Sequence, residues 1–137
     1  MSLFQSFNIS TSGLTAQRFR MDVISENVAN VTTTRTEDGT PYTRKIVSFQ
    51  EKQVTPFSKV LDNTREALIG NGVKVNRVAE DTTSDYIMKY EPSHPDADEN
   101  GYVSYPNVNI ITEMTNLIDA SRSYEANITA FDTSKAI

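Results

Sequence analysis

The chain has 137 residues, of which 37% are hydrophobic, and eighteen acidic against thirteen basic residues give it a formal net charge of −5. The length suits one compact domain or a small domain with an extension, and the acidic balance without clustered Lys and Arg speaks against nucleic-acid binding. Cysteine is absent, which excludes disulfides and thiolate chemistry, and no apolar run reaches the roughly eighteen residues that a membrane span needs.

The N-terminal residues carry the pattern of a long amphipathic helix. Alternate steps of four and three residues from Leu3 to Val31 meet apolar side chains at seven of nine positions. Such a spacing keeps one helix face toward a partner over many turns, as in a coiled coil. We expect the helix to begin after a cap within residues 6–12, a segment rich in short side chains whose oxygens can accept hydrogen bonds from unpaired N–H groups. Gly13 costs about 1 kcal/mol inside a helix, which favours fraying of the first two turns or their exclusion from the helix.

Between the helices, short alternating runs predict a small β-rich module of three or more strands. The Asp38-Gly39 pair marks a tight turn, and residues 42–53 are typical of a strand. Residues 73–77 and 86–90 predict two more strands, whereas residues 56–69 suit either a short helix or a loop. Residues 91–106 contain three prolines and a glycine, which predicts an extended connector.

The same alternation of four- and three-residue steps returns at the C-terminus, from Ile110 to Lys135, where six of eight positions are apolar. Asn109 is expected to cap this helix, and Glu113 in its first turn favours the positive end of the helix dipole. The two helices, each roughly 40 Å long, suit an antiparallel pair closed by the insertion between them.

The predicted fold class is therefore α+β, with long N- and C-terminal helices forming a coiled-coil-like pair around a small β-rich central module. The expected division is an N-terminal inner helix in residues 1–34, the β-rich module and connector in 35–106, and a C-terminal inner helix in 107–137. Polar residues interrupt both stripes, either as tolerated variation or as buried groups that fix helix register. These residues are Ser10, Gln17, Ser121 and Lys135.

One segment has the spacing of a calcium loop. Asp96, Asp98, Asn100 and Gly101 match the opening of an EF-hand, but Asn107 stands where a bidentate glutamate should be. Prolines before the acids also prevent an entering helix. A calcium-binding module is therefore an alternative to a solvated turn whose acids accept hydrogen bonds from local N–H groups.

No other motif indicates catalysis. His94 is the single histidine and is interpreted as a turn residue, since zinc normally takes three or four nitrogen or sulfur ligands. The chain has no glycine-flanked serine elbow, and Gly70 with Gly72 lacks the third glycine of a dinucleotide loop. We predict no enzymatic activity, no cofactor and no metal.

An ordered series of short motifs carries a family resemblance. Those at the N-terminus resemble the signature of bacterial flagellar rod and hook proteins, and the later ones are similar to the proximal rod proteins of that family. The series covers the chain nearly end to end, apart from departures at Thr32 and in residues 81–84. It comprises Ser12-Gly13-Leu14-Thr15-Ala16-Gln17-Arg18, Asn27-Val28-Ala29-Asn30, Gly72-Val73-Lys74-Val75, Tyr90-Glu91-Pro92, His94-Pro95-Asp96-Ala97-Asp98, Pro106-Asn107-Val108-Asn109 and Tyr124-Glu125-Ala126-Asn127.

This resemblance implies a structural subunit of the flagellar basal-body rod, a helical assembly that spans the periplasm and transmits torque. It implies that the terminal helices lie in the inner tube of the assembly and the β-rich part in its outer layer. The implied partners are other copies, other rod proteins and the flagellar type III export apparatus, with no nucleic acid and no membrane insertion. Export would proceed without a cleaved signal peptide, since the first residues lack the basic start and apolar stretch of a secretory signal.

The stripes and the resemblance together predict the assembly interface. A soluble coiled-coil adaptor of fixed oligomeric state is the alternative to a polymer subunit. The expected interface residues are Leu14, Met21, Ile24, Val28, Asn30, Met114, Leu117, Tyr124, Asn127, Ile128 and Phe131.

Overall fold

The computed structural model describes residues 3–52 and 72–136. Its elements in chain order are helix α1 (Leu3–Ala29), strands β1 (Lys45–Glu51), β2 (Val73–Glu80), β3 (Ile87–Tyr90) and β4 (Tyr102–Tyr105), and helix α2 (Ile110–Ala136). The predicted α+β fold class is confirmed. The region predicted to be a short helix or loop, residues 56–69, lies outside the described residues.

Helix α1 begins earlier than predicted, since Leu3 is already helical. The expected cap within residues 6–12 was wrong because tertiary contacts hold this segment in the helix. Phe7 packs on Phe131 of α2 with ring centroids 5.0 Å apart. The hydroxyl of Ser12 donates to the Ile9 carbonyl at 2.7 Å and accepts from the Val73 N–H at 3.0 Å, so it joins the helix to β2.

Helix α2 begins as predicted. The Asn109 side-chain oxygen accepts hydrogen bonds from the N–H groups of Ile111 and Thr112, at 3.0 and 3.2 Å, and so satisfies two of the donors that a helix start leaves unpaired.

The strands form two separate two-stranded sheets, β1 with β2 and β3 with β4. The first is antiparallel, since the Asp81 N–H donates to the Arg44 carbonyl at one end and the Lys52 N–H to the Gly72 carbonyl at the other. The second is antiparallel, with Ile87 opposite Tyr105. Part of the predicted connector is thus strand β4, because the backbone pairing with β3 was not visible in the local pattern.

The described chain divides into two compact units. Unit 1 contains residues 3–20, 48–52, 72–77 and 119–136, and its fully buried side chains are small, as at Ala16 and Ala120. Unit 2 contains residues 21–47 and 78–118, and its core holds Val103 and Val108 together with several polar side chains.

Candidate assembly interface

The first three turns of α2, within unit 2, expose a line of large apolar side chains. Ile111, Met114 and Ile118 are 77%, 51% and 55% exposed, and their spacing of three and four residues places them on one helix face. We name these three residues the α2 stripe. A contiguous apolar surface on a described helix is typical of an interface that another molecule covers.

A groove of about 310 Å³ adjoins the start of this stripe in unit 2. Ile111 belongs to both, so the apolar surface of the stripe continues into a concave site. The residues that line the groove include the apolar Ile87, Pro106, Val108, Ile110 and Ile111 as well as the polar Thr32, Lys89 and Asn109.

The predicted interface residues differ in exposure. Met114 and Ile128 are exposed, and Ile24 is buried in unit 2. Within unit 1, Phe131 packs on Phe7, and Asn127 lies against Gly13. The remaining predicted residues are partly buried, and they are Leu14, Met21, Val28, Asn30, Leu117 and Tyr124.

Ile111 and Ile118 were not in the predicted interface, although both are more exposed than Met114. They lie beside the coiled-coil stripe rather than on it. The sequence did contain a sign of this, because a helix with one partner would carry polar side chains at these two positions, and here both are isoleucine.

Unit 2 also contains a buried polar network that sequence reasoning missed. Asn27 is 1% exposed, and all four hydrogen-bonding positions of its amide are used. Its Oδ1 accepts from the Tyr42 hydroxyl at 2.7 Å and from the Lys45 N–H at 2.9 Å. Its Nδ2 donates to the Lys45 carbonyl at 2.9 Å and to Glu113 Oε2 at 3.5 Å. One amide therefore joins α1, the start of β1 and α2.

Glu113 continues this network. The sequence predicted Glu113 to be a first-turn acid that favours the helix dipole. In the structure its side chain is 1% exposed, and its carboxylate pairs with the guanidinium of Arg44. Arg44 also lies 3.6 Å from the Asp81 carboxylate. Because a buried charge needs a partner to offset its desolvation, Glu113 and Arg44 depend on each other.

Two groups in the network have shifted pKa values. Hydrogen bonds from the Thr83 hydroxyl and from the Ser84 and Thr83 N–H groups outweigh desolvation and lower the pKa of Asp81 to about 2. Burial, with the nearby charge of Glu26 and Glu113, raises the pKa of the Tyr42 hydroxyl above its usual value.

The acids of the calcium-like segment accept hydrogen bonds within unit 2, one set local and one from a distant part of the chain. Asp98 Oδ1 accepts from the N–H groups of Asn100 and Tyr102, each at 2.9 Å, and Asp96 Oδ2 accepts from the Thr34 hydroxyl at 2.6 Å. Within residues 3–52 and 72–136 no group of three or more His, Cys, Asp or Glu side chains is placed to hold a metal ion. Neither of the helices described combines the length and apolarity of a membrane span.

Two family models match parts of the chain. One described as "Flagella basal body rod protein" matches residues 7–35, and one described as "Flagellar basal body rod FlgEFG protein C-terminal" matches residues 99–137. These matches cover most of α1 and all of α2, the two helices that carry the predicted interface.

Curated relatives match over the full length. The flagellar basal-body rod proteins FlgC of Borreliella burgdorferi and Bacillus subtilis are each 46% identical to this chain, over all of it and over 93% and 94% of their own lengths. FlgC of Escherichia coli O157:H7 is 39% identical, again over the whole chain and 93% of its own length. These names agree with the resemblance read from the motifs, and support neither the adaptor nor the calcium-binding alternative.

Proposed function

Because this chain belongs to the FlgC family of flagellar basal-body rod proteins and is a structural subunit of that rod, we propose that it joins the axial assembly through its two terminal helices. The observation that carries this proposal is the α2 stripe, since three large apolar side chains on one helix face stay exposed in the single chain. Leaving such surface in water is unfavourable by about 25 cal/mol per Å², so a neighbouring subunit that covers it gains that free energy.

We assign residues 1–34 and 107–137 to the inner part of the assembly and residues 35–106 to its outer part. The helix bounds support this division, because α1 ends at Ala29 and α2 begins at Ile110. Ten of the eleven predicted interface residues keep exposed surface and remain the proposed contacts, whereas Ile24 is buried in unit 2 and is proposed to support the helix from within. The exposure of Ile111 and Ile118 adds these two residues to the proposed contacts.

The chain is a component of the flagellar basal body. Its proposed neighbours are other rod proteins and further copies of itself, and its proposed role is to transmit torque along the rod through the periplasm. We propose that the flagellar type III apparatus exports it without cleaving a signal peptide. Its proposed role is purely mechanical, without an enzymatic activity.

The test is incorporation of the full-length chain into basal bodies of a strain that lacks its own copy. Ile118→Asp places a charge on the exposed stripe and is expected to abolish incorporation while the purified variant stays folded by circular dichroism. Thr112→Asp is the matched control, because Thr112 is also exposed on the first turns of α2 but points away from the stripe. Normal incorporation of Ile118→Asp would refute the proposed role of this helix.

A further inference from the structure

The outer edge of strand β4 is covered at Tyr102 by the turn that precedes it. The Asp98 N–H donates to the Tyr102 carbonyl at 2.8 Å, and the Tyr102 N–H donates to Asp98 Oδ1 at 2.9 Å. Both backbone groups of Tyr102 are therefore occupied within the chain. Covering an edge with a loop in this way keeps another strand from pairing with it.

The outer edge of strand β3 has no such cover. The Glu91 N–H donates to the Gly101 carbonyl opposite it, and hydrogen-bonded pairs alternate with non-bonded pairs along an antiparallel ladder. The N–H and C=O groups of Met88 and Tyr90 therefore point away from β4. None of these four groups has a hydrogen-bond partner among the described residues, so β3 presents an unpaired edge.

One face of the sheet beside this edge is apolar and exposed. Met88 and Tyr90 are 51% and 64% exposed, and Tyr90 packs edge-on against Tyr102 with ring centroids 5.3 Å apart. These three side chains share a face, because successive residues of a strand alternate in direction. A strand added at the edge would thus find side chains to pack on as well as backbone groups to pair with.

The opposite face carries one cation and borders the groove at the start of the α2 stripe. Ile87 and Lys89 lie on this face, and both line the groove. The Lys89 ammonium lies 4.8 Å from the centroid of the Tyr105 ring and forms no ion pair within the part of the chain that the structure describes. This face therefore offers an apolar position beside Ile87 and an unpaired positive charge beside it.

We propose that the outer edge of β3 binds an extended segment of a different protein, which adds to β3 as an antiparallel strand with an acidic residue opposite Lys89. Its backbone pairs with Met88 and Tyr90, because a chain in β conformation supplies donors and acceptors at the spacing of these groups. Its apolar side chains lie opposite Ile87, Met88 and Tyr90. This contact is separate from the proposed contacts of the terminal helices, since β3 belongs to the central module.

Charge favours an acidic strand of another protein over a second copy of β3. In an antiparallel pair of two β3 strands, Met88 of each copy bonds to Tyr90 of the other, which places Lys89 opposite Lys89. Like charges directly opposite each other destabilise a sheet, and a lysine on an edge strand is a common protection against self-pairing. The same ammonium attracts a carboxylate, so Lys89 distinguishes between the two occupants.

The test is binding of a synthetic strand to the full-length chain, followed by NMR. The probe is the peptide acetyl-Thr-Val-Glu-Val-Ile-Thr-amide, whose glutamate lies opposite Lys89 when its two valines pair with Met88 and Tyr90. We expect a dissociation constant of about 1 mM or tighter, with slower hydrogen exchange at the Met88 and Tyr90 amides. Weaker binding overturns the proposal, and so does protection that does not include these two amides.

Two changes of the peptide separate backbone pairing from charge. A peptide methylated on the backbone nitrogens of both valines keeps every side chain but loses both donors, and it is expected not to bind. A peptide with lysine in place of glutamate is expected to bind about two- to fivefold more weakly. Lys89→Glu, at an exposed position, should reverse this preference by a similar factor. Binding of the methylated peptide, or an unchanged preference in Lys89→Glu, overturns the proposal.

A matched pair of variants locates the binding at the edge. Met88→Pro removes an outward N–H without breaking a bond to β4, and it is expected to abolish binding of the glutamate peptide. Met88→Ala keeps the N–H and should weaken binding only about two- to fivefold. Circular dichroism checks that both variants are folded, and an equal loss in the two overturns the proposal.

These outcomes are independent of the proposed rod function, because the assay uses the chain alone. Ile118→Asp, which is expected to abolish incorporation into basal bodies, should leave binding of the peptide unchanged. If Ile118→Asp enters basal bodies normally while the peptide still binds at Met88 and Tyr90, the proposed role of α2 fails and the strand contact stands. If the peptide does not bind, the strand contact fails and the rod function is unaffected.

Discussion

Gly13 of α1 and Asn127 of α2 are in such close contact that a Cβ atom on Gly13 would lie 2.6 Å from Asn127 Oδ1. Asn127 is held there by its own hydrogen bond, from Nδ2 to the Ser123 carbonyl at 2.9 Å. The glycine is therefore explained by the approach of the second helix within unit 1, although it weakens the first helix locally.

The effect of Gly13→Ala on the stability of the protein should change sign when the residue at position 127 is changed. Gly13→Ala improves helix propensity by about 1 kcal/mol but overpacks the contact by about 1–3 kcal/mol, so we expect a net loss of stability. In an Asn127→Ala background the clash is gone, and Gly13→Ala should then stabilise. Thermal unfolding of the four proteins checks this, and a stabilising effect of Gly13→Ala in the wild-type background would contradict it.

Asn27→Ala should be among the most destabilising single substitutions in the described chain. It leaves the Tyr42 hydroxyl, the Lys45 backbone groups and Glu113 without their amide partner in a buried site. We expect a loss of about 3 kcal/mol or more, since each buried unsatisfied group costs about 1–3 kcal/mol. Urea denaturation is the measurement. The control is Asn30→Ala, three residues later, just past the end of α1 and partly exposed, for which a loss above about 1 kcal/mol is not expected.

The two charges of the Arg44–Glu113 pair should stabilise the fold only when both are present. Glu113→Leu leaves a guanidinium without its main partner, and a loss of about 3–5 kcal/mol is expected. The double variant Arg44→Met with Glu113→Leu removes both charges and should be clearly more stable than Glu113→Leu alone. A double-mutant cycle from urea unfolding tests this, and additive losses would show that the two side chains act independently.

Stability should decline in acid partly through Asp81. The pKa of its carboxyl falls from 3.8 to about 2 on folding, so its contribution is fully present above pH about 4 and is lost as the pH falls toward 2. Asp81→Asn should therefore differ most from wild type above pH about 4, with the difference shrinking below it. Unfolding free energies across this range are the measurement, and a difference independent of pH would exclude Asp81 as a source of the acid sensitivity.

The sequence predicted features that depend on neighbours along the chain. The stripe periodicity located both helices, and Asn109 was identified as the cap of α2 because a cap acts within one turn. The series of family motifs indicated the rod, which full-length relatives confirm. Alternation predicted β2 and β3, whose bounds differ from the prediction by only a few residues.

Other features depended on residues far apart in the chain. The start of α1 was wrong because Gly13 was judged by helix propensity alone, whereas Asn127 and other residues of α2 pack against this segment. Strand β4 was interpreted as a connector because only its pairing with β3 distinguishes it from extended chain.

Local pattern alone determined that this protein is helical at both ends, how its apolar residues are spaced and which family its motifs resemble, because each of these properties is set within a few residues. Tertiary structure decided which polar groups are buried and with whom. Glu113 looks like a solvated helix acid until Arg44, 69 residues away, is placed beside it, and Asn27 gains its central role only when residues 18 and 86 positions away meet its amide. Burial and pairing of a charge depend on which distant residues surround it in the fold, and the periodicity of the local sequence does not show this.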